Sequence, residues 1–383
     1  MDVFSAGGKF RLRRQYRWEK GVGGVCPADE ALGIEQSDVS PGARELCCLM
    51  GIGGDFDQAR DDLKRVGGLS LSKERLRQVT EGEGCRVRKV RDGGQLPAAW
   101  SAADAKLPDG RSRIYVGVDG VMTPAVTQTE KDKRRKGHIT RRQQRGKNGV
   151  GNLKPLAAPK PGSDEKFKEK KIGVFYNQDK SLRHAFATEG TSEQFGPLLN
   201  SYARQVGFEK ADETLCLVDG AVWIYRQVCS ALLCLGVILL DFYHLAEHVY
   251  ATARCCLGET EAARAFGAAR MKQAKASDLA GMLGAIKALG RKMRSSASKK
   301  SVAGLVNYIS QRREMLDYAK ALKLEQDIGS GPTEACCKTL TLRLKRPGMK
   351  WDDDNAASMM NLIAMRESGQ WKAYWDQQAR KAA

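Results

Sequence analysis

Apolar positions along this chain change period twice, and each change predicts a different kind of element. Over the first hundred residues they recur at helical spacing. Pro41 to Met50 reads as a short helix, and Phe56, Ala59, Leu63 and Val66 mark one face of a second. Gly67-Gly68 supplies a turn, and Ser72 is placed to cap a third helix over Ser72–Thr80. Ahead of these, Lys9–Tyr16 alternates basic and apolar residues and runs into Gly-rich turns. Arg91–Gly110, rich in Gly, Pro and Ala, predicts a linker.

Short apolar runs then take over. Ile114–Asp119, Lys171–Asn177 and Arg183–Thr188 predict strands, the last two joined by a hairpin turn at Gln178-Asp179-Lys180-Ser181. Ser192–Gly207 is an amphipathic helix through Phe195, Leu198, Leu199, Tyr202 and Val206. Leu215–Val218 and Leu235–Leu240 read as buried strands, each stopping at an aspartate, Asp219 and Asp241, with a helix-like Ala221–Cys229 between them. Cys229–Leu240 is apolar throughout, yet twelve residues cannot span a hydrocarbon layer ~30 Å thick, so it predicts sheet core. From Leu245 to about Leu324 the helical period returns, rich in Ala, Leu and Met. In Asp327–Leu344, Ser330 or Gly331 caps a helix, Pro332 takes its first turn and Glu334 lies in that turn. Glu334, Lys338 and Thr341 share one face, while Cys337, Leu340 and Leu344 share the buried one. A final helix covers Ala356–Met365.

Three strands, helix, strand, helix, strand is the order of a ribonuclease H-like fold. The expected class is therefore α/β: a ribonuclease H-like mixed-sheet catalytic domain with an all-helical insertion, preceded by a small helical, helix-turn-helix-like domain. The expected boundaries are 1–100 for the amino-terminal DNA-binding region (helix-turn-helix at 55–81) and 111–245 for the core, with a disordered basic loop at 130–165. The insertion is expected at 246–325, and the carboxy-terminal catalytic helix with the end of the core at 326–383. In that order the first and fourth strands are neighbours, so Asp119 and Asp219 lie side by side. Asp241 competes as second acid from one strand further out, roughly 4.8 Å away.

Composition adds a partner. The 383 residues carry 64 Lys+Arg against 45 Asp+Glu, a formal charge of +19. A polyanion is implied, and nucleic acid over an anionic membrane, since no amphipathic basic anchor stands out. Met1–Phe10 has no apolar signal-peptide core, which predicts a cytoplasmic, nucleoid-associated protein. The 11 cysteines include three adjacent pairs and no CxxC, which fits reduced thiols.

Lys131–Lys147 holds nine Lys/Arg and one acidic residue. It reads either as solvated disorder or as a mobile arm placing Arg134, Arg135, Arg141 and Arg142 on phosphates. Lys73, Arg75 and Arg77 are recognition-helix candidates, with an ordinary αα-hairpin and solvated charges as the alternative. Lys338, Arg343, Lys345 and Arg346 make the Glu334 helix basic, either for DNA or, for Lys338, as a simple ion pair with Glu334.

Clustered carboxylates repel and are tolerated where divalent cations neutralise them. Two Mg²⁺ ions about 3.5–4 Å apart, with Mn²⁺ able to substitute, activate a water or a 3′-hydroxyl against a phosphodiester.

The segments VGVDG, LCLVDGAVWIYR, ILLDFYHLAEHV and IGSGPTEACCKTLTLRLKRPGMKW resemble the DDE insertion-sequence transposases of the ISKra type, relatives of the Mutator-like transposases, over about residues 110–375. The resemblance implies DNA strand cleavage and strand transfer, with Asp119, Asp219 and Glu334 as catalytic residues and metal ligands. It implies double-stranded DNA, as element ends and as target, for partner, a homo-oligomer on that DNA, and no membrane. The Mutator-like signature also has Cys or Asp, two residues, then His after the second acid, which Asp241 and His244 match. Asp241, His244 and His248 share a helical face, so a zinc site competes there with a structural or DNA-contacting role. Relatives often open with a CxxC segment; here Trp18 and Gly21 stand where those cysteines are expected. Besides an active transposase, a catalytically idle DNA-binding relic or regulator and a structure-selective nuclease stay open.

Overall fold

The computed structural model describes residues 1–21, 23–35, 37–144 and 162–381. Two small antiparallel hairpins open the chain, β1 (Asp2–Ser5) with β2 (Gly8–Arg11) and β3 (Arg17–Glu19) with β4 (Gly23–Val25). Helices α1 (Pro27–Ala31), α2 (Pro41–Gly53), α3 (Phe56–Gly67) and α4 (Lys73–Asp92) follow. Asp55 starts α3 by accepting from the amides of Asp57 and Gln58, and Gly68 ends it in the left-handed region at φ 62°. Ser72 caps α4 through the Arg75 amide, as its position predicts. The helix does not stop near Thr80, however, but continues to Asp92.

The central sheet is mixed and five-stranded. Its strands are β5 (Arg113–Pro124), β6 (Phe167–Asn177), β7 (Arg183–Thr188), β8 (Glu213–Val218) and β9 (Val237–Leu240), in spatial order β7-β6-β5-β8-β9. β5, β6 and β7 pair antiparallel, while β8 runs parallel to both β5 and β9. The strand Ile114–Asp119 was expected to end at its aspartate. Instead β5 stays paired with β6 as far as Pro124, because β6 begins earlier, at Phe167.

Helix α5 (Gln128–Gln144) lies between β5 and β6 in sequence. It corrects the expectation of a disordered loop from residue 130; residues 145–161, with the rest of that basic segment to Lys147, lie outside the described residues. Low hydrophobicity argued for disorder, but Lys, Arg, Gln and Glu are good helix formers. A reciprocal cap nucleates the helix: Thr127 Oγ1 accepts from the Glu130 amide at 3.2 Å, and Glu130 Oε2 from the Thr127 amide at 3.3 Å.

Helices α6 (Ser192–Gln205) and α7 (Val222–Ala231) precede β8 and β9. Then come α8 (Phe242–Leu257), α9 (Glu261–Lys275), α10 (Leu279–Lys292), α11 (Ser296–Gln311) and α12 (Tyr318–Lys323), followed by α13 (Gly331–Leu342), α14 (Asp353–Glu367) and α15 (Trp371–Lys381).

Strand alternation divides the core in two. Ile114, Val116 and Val118 of β5 pack with Phe195 and Tyr202 of α6, Ile224 of α7 and the insertion helices. Tyr115, on the opposite face, belongs to a second buried cluster that includes Leu217, Leu340 of α13 and Met360 of α14, and extends to Leu63 of α3 and Leu76 of α4. Helices α2–α4 share this hydrophobic cluster, with α2 and α4 packing against α14, which itself lies on β7. Arg91, read as the start of a linker, is fully buried. It donates to Gln370 Oε1 at 2.9 Å and to the Ala185 carbonyl at 2.6 Å, tying α4 to the sheet and to the carboxy-terminal helices. Among the described residues no helix is long and apolar enough to cross a membrane.

Candidate active site

The parallel pair β5/β8 sets two of the three predicted acids. Its last paired residues are Gly117 and Leu217, so Asp119 and Asp219 each stand two residues further along neighbouring strands. β8 ends at Val218, and Gly220, at φ 86°, turns the backbone away toward α7. Asp219 Oδ1 accepts from the Ala221 amide at 2.8 Å, and Asp119 Oδ1 from the Gly120 amide at 2.6 Å.

Helix α13 brings the third acid. Gly117 offers it a flat seat: a Cβ there would lie 2.9 Å from Thr333 Cβ and nearer still to Thr333 Oγ1. The first turn of α13 consequently rests directly on β5, and Glu334 follows Thr333. A cavity of about 180 Å³ is lined by Asp119, Asp219 and Glu334 together with His244, Ser330 and Thr333.

Burial raises the Asp119 carboxyl above the usual carboxylate range, and the charges of Asp219 and Glu169 push the same way against the Gly120 amide and the Cys337 thiol. Glu169 escaped sequence reasoning. It sits on β6 opposite Met122, its Oε2 2.8 Å from Lys171 Nζ, and its carboxylate fills the space that a side chain at Gly120 would need. The only signal was an acid among the lysines that open β6, which also describes an ordinary polar strand end.

Three carboxylates facing one small cavity make a hard oxygen donor set of the kind Mg²⁺ or Mn²⁺ takes. Repulsion between neighbouring, partly buried acids is relieved by a cation. Among the described residues, though, no group of three or more His, Cys, Asp or Glu is drawn together closely enough to hold a metal ion. Glu334 is exposed, so its side chain has room to rearrange.

Asp241 is buried and fully engaged. Its Oδ1 accepts from the His244 amide at 2.6 Å, capping α8, and its Oδ2 accepts from the Ser330 amide at the start of α13. It thus fastens α13 to α8 and is not among the residues that line the acid cavity. His244 lines the acid cavity, with Nδ1 3.7 Å from Glu247 Oε2. The His248 ring lies tilted against Tyr308 with centroids 4.2 Å apart, and among the described residues no third zinc ligand joins these side chains.

The predicted cations separate into distinct environments. Lys338 and Lys345 line a second cavity, about 310 Å³, that shares Asp119 and Glu334 with the first. Arg343 does not join them, contrary to expectation. It is 2% exposed, lies 4.9 Å over the Phe56 ring and 5.1 Å over Trp351, and donates to the Gly51 carbonyl at 3.1 Å. Burial pushes its guanidinium down to about 10. Arg346 is half-buried and donates to the Gly53 carbonyl at 2.9 Å. On α5, Arg134 and Arg141 are exposed and Arg135 is half-buried; the Arg142 side chain lies outside the described residues. Ion pairs of Lys131 with Asp352 and of Glu130 with Lys350 tie the base of α5 to the segment that leads into α14. The candidate recognition cations are all paired within the chain: Lys73 with Asp57, Arg75 with Asp38, and Arg77 with Glu81 and with Glu74 at 2.6 Å. Exposed pairs of this sort contribute only about 0–1 kcal/mol each, so a phosphate can compete for them.

No protein-family model matches this sequence. No curated protein matches it either. Among solved structures the chain is similar to the Drosophila P element transposase strand transfer complex, at 9% identity and a TM-score of 0.32, with 89% of this chain and 81% of that chain covered. That likeness is too distant to transfer any residue role.

Proposed function

We propose that this chain is a metal-dependent DDE transposase of the ISKra type, related to the Mutator-like enzymes, that cleaves DNA strands and transfers them to a target. One observation carries the reading: Asp119, Asp219 and Glu334, from two adjacent strands and a distant helix, line the same cavity. The strand order β7-β6-β5-β8-β9, with the acids beyond the parallel pair, supports a ribonuclease H-like catalytic domain. Asp119, Asp219 and Glu334 would hold two Mg²⁺ ions. When bound, these would polarise a phosphodiester and lower the pKa of an attacking water or 3′-hydroxyl.

The chain's own side chains bind and orient the DNA. Lys338 and Lys345 continue the acid cavity into a groove where cations hold a phosphate strand, and positioning dominates phosphoryl transfer. The basic face of α5, with Arg134 and Arg141 in solvent, contributes sequence-independent backbone contacts. Double-stranded DNA of the element ends and of the target is the partner, bound by a homo-oligomer in the cytoplasm, on the nucleoid.

A second reading, a catalytically idle DNA-binding relic or regulator, is favoured by the absence of a ready-gathered metal ligand set among the described residues. Incubation with duplexes carrying DNA from either side of the coding sequence separates the two. The enzyme yields cut strands in Mg²⁺ and none in EDTA. Binding with no Mg²⁺-dependent cut product would establish the idle protein instead.

A further inference from the structure

The turn that carries Asp219 is gripped from outside the sheet. Helix α11 returns from the far end of the helical insertion and places Tyr308 and Arg312, one turn apart, against it. Tyr308 Oη donates to the Asp219 carbonyl at 3.0 Å. Arg312 donates to the next carbonyl, that of Gly220, from Nε at 3.0 Å and Nη2 at 2.6 Å. Its third nitrogen, Nη1, reaches back to the Tyr308 carbonyl at 3.1 Å. The guanidinium lies 4.0 Å from the Tyr308 ring centroid, so each residue fixes the other. His248 of α8 adds a further ring contact at 4.2 Å.

The glycine in this turn is needed twice. Its φ of 86° disfavours any side chain, and a Cβ would come 2.5 Å from Arg312 Nε and 2.8 Å from Leu240 Cδ1. Two successive carbonyls are therefore held from the end of α11, one by Tyr308 in its last turn and one by Arg312 just past it, which fixes the peptide planes on both sides of Gly220. The Asp219 carboxylate hangs from the first of these peptides, and its own bond to the Ala221 amide at 2.8 Å is local to the turn. An insertion that only enlarged the protein has no need of three donor contacts converging on this stretch.

We propose that Tyr308 and Arg312 are positioning residues for Asp219: the helical insertion clamps the Asp219-Gly220 turn so that its carboxylate meets Asp119 across a shared divalent-cation site. This rests on the reading of Asp119 and Asp219 as metal ligands. Neighbours of this kind, acting through a ligand, typically change metal affinity or activity by about 10–100-fold.

The test needs no catalysis. Mn²⁺ binding to the full chain is titrated by electron paramagnetic resonance, with metal-free melting recorded in parallel, for wild type, Tyr308→Phe, Arg312→Gln and Asp219→Asn. Tyr308→Phe removes one oxygen and keeps the ring stack, so it carries the test if Arg312→Gln does not fold. The clamp predicts at least about tenfold weaker Mn²⁺ binding in Tyr308→Phe, with metal-free melting near that of wild type. Wild-type Mn²⁺ affinity in Tyr308→Phe and in folded Arg312→Gln overturns the clamp while leaving the ligand assignment standing, as does a lowered melting temperature with unchanged affinity. If wild type binds Mn²⁺ no better than Asp219→Asn, the ligand assignment itself fails and the clamp falls with it.

Discussion

Gly117 and Thr333 meet where α13 touches β5, and a single carbon added to the glycine would stand 2.9 Å from the threonine Cβ. The contact sets the height of the helix over the sheet, and with it the position of Glu334. Gly117→Ala should cost about 1–3 kcal/mol of stability through overpacking and should depress cleavage far more than DNA binding. Thr333→Ala in the same chain should restore part of both losses. Thermal melting and a strand-cleavage assay read the two effects, and a fully active Gly117→Ala would show that the seat does not set the acid.

Lys338 and Arg343 lie five residues apart and should behave oppositely. Lys338→Ala should weaken binding to DNA ends while stability moves by less than about 0.5 kcal/mol, since the side chain is exposed. Arg343→Ala removes a cation from between Phe56 and Trp351 and leaves the Gly51 carbonyl without that donor. A loss of about 2–4 kcal/mol is expected. Chemical denaturation beside a binding titration separates them, and unchanged DNA affinity in Lys338→Ala would remove that residue from the groove.

Helix α5 should act through charge alone. Replacing Arg134, Arg135, Arg141 and Arg142 by Ala should flatten the salt dependence of DNA binding by up to ~0.9 log unit per lost phosphate contact, with little change in sequence preference. An unaltered salt slope would mean that the helix does not touch the backbone of the duplex.

His184 gives the fold an acid-sensitive point. It is buried beside Tyr202, and burial, with the Arg91 charge, pushes its imidazole down to about 3. The native state keeps the ring neutral, whereas the unfolded chain takes up a proton near pH 6.5. Stability is thus fully present above about pH 6.5 and falls toward pH 3, by up to about 1.4 kcal/mol per pH unit from this group. His184→Phe should flatten the decline in that window, and urea melts at several pH values check it.

The parts of the fold governed by local pattern were legible in the sequence. Buried apolar runs ending in aspartate marked β8 and β9, short runs either side of a hairpin turn marked β6 and β7, and the order of elements placed β5 beside β8. What escaped depended on distant partners. Arg91 looks like the edge of a linker until Gln370 and the Ala185 carbonyl are brought to it. Arg343 looks like one more cation at a basic helix end, and nothing within a few residues announces that Phe56 will cover it. Helix α5 was hidden by its charge, although Thr127 and Glu130 stood at capping-box spacing. At the site, the three acids could be named from strand ends and motif resemblance. Glu169 could not, because it matters only through β6 lying against Gly120. Asp241 illustrates the reverse: its place after a buried strand suggested catalysis, and its two carboxylate oxygens are instead spent on amides.

Asp119, Asp219 and Glu334 are proposed to act as one unit. The most direct measurement is the single-turnover rate of Mg²⁺-dependent strand cleavage for Asp119→Asn, Asp219→Asn and Glu334→Gln, singly and in pairs. Residues that act as a unit are strongly non-additive, so each single change should remove nearly all cleavage and each pair should be no slower than its slower member. Substantial cleavage by any single variant, or losses that multiply independently in the pairs, would contradict a shared site.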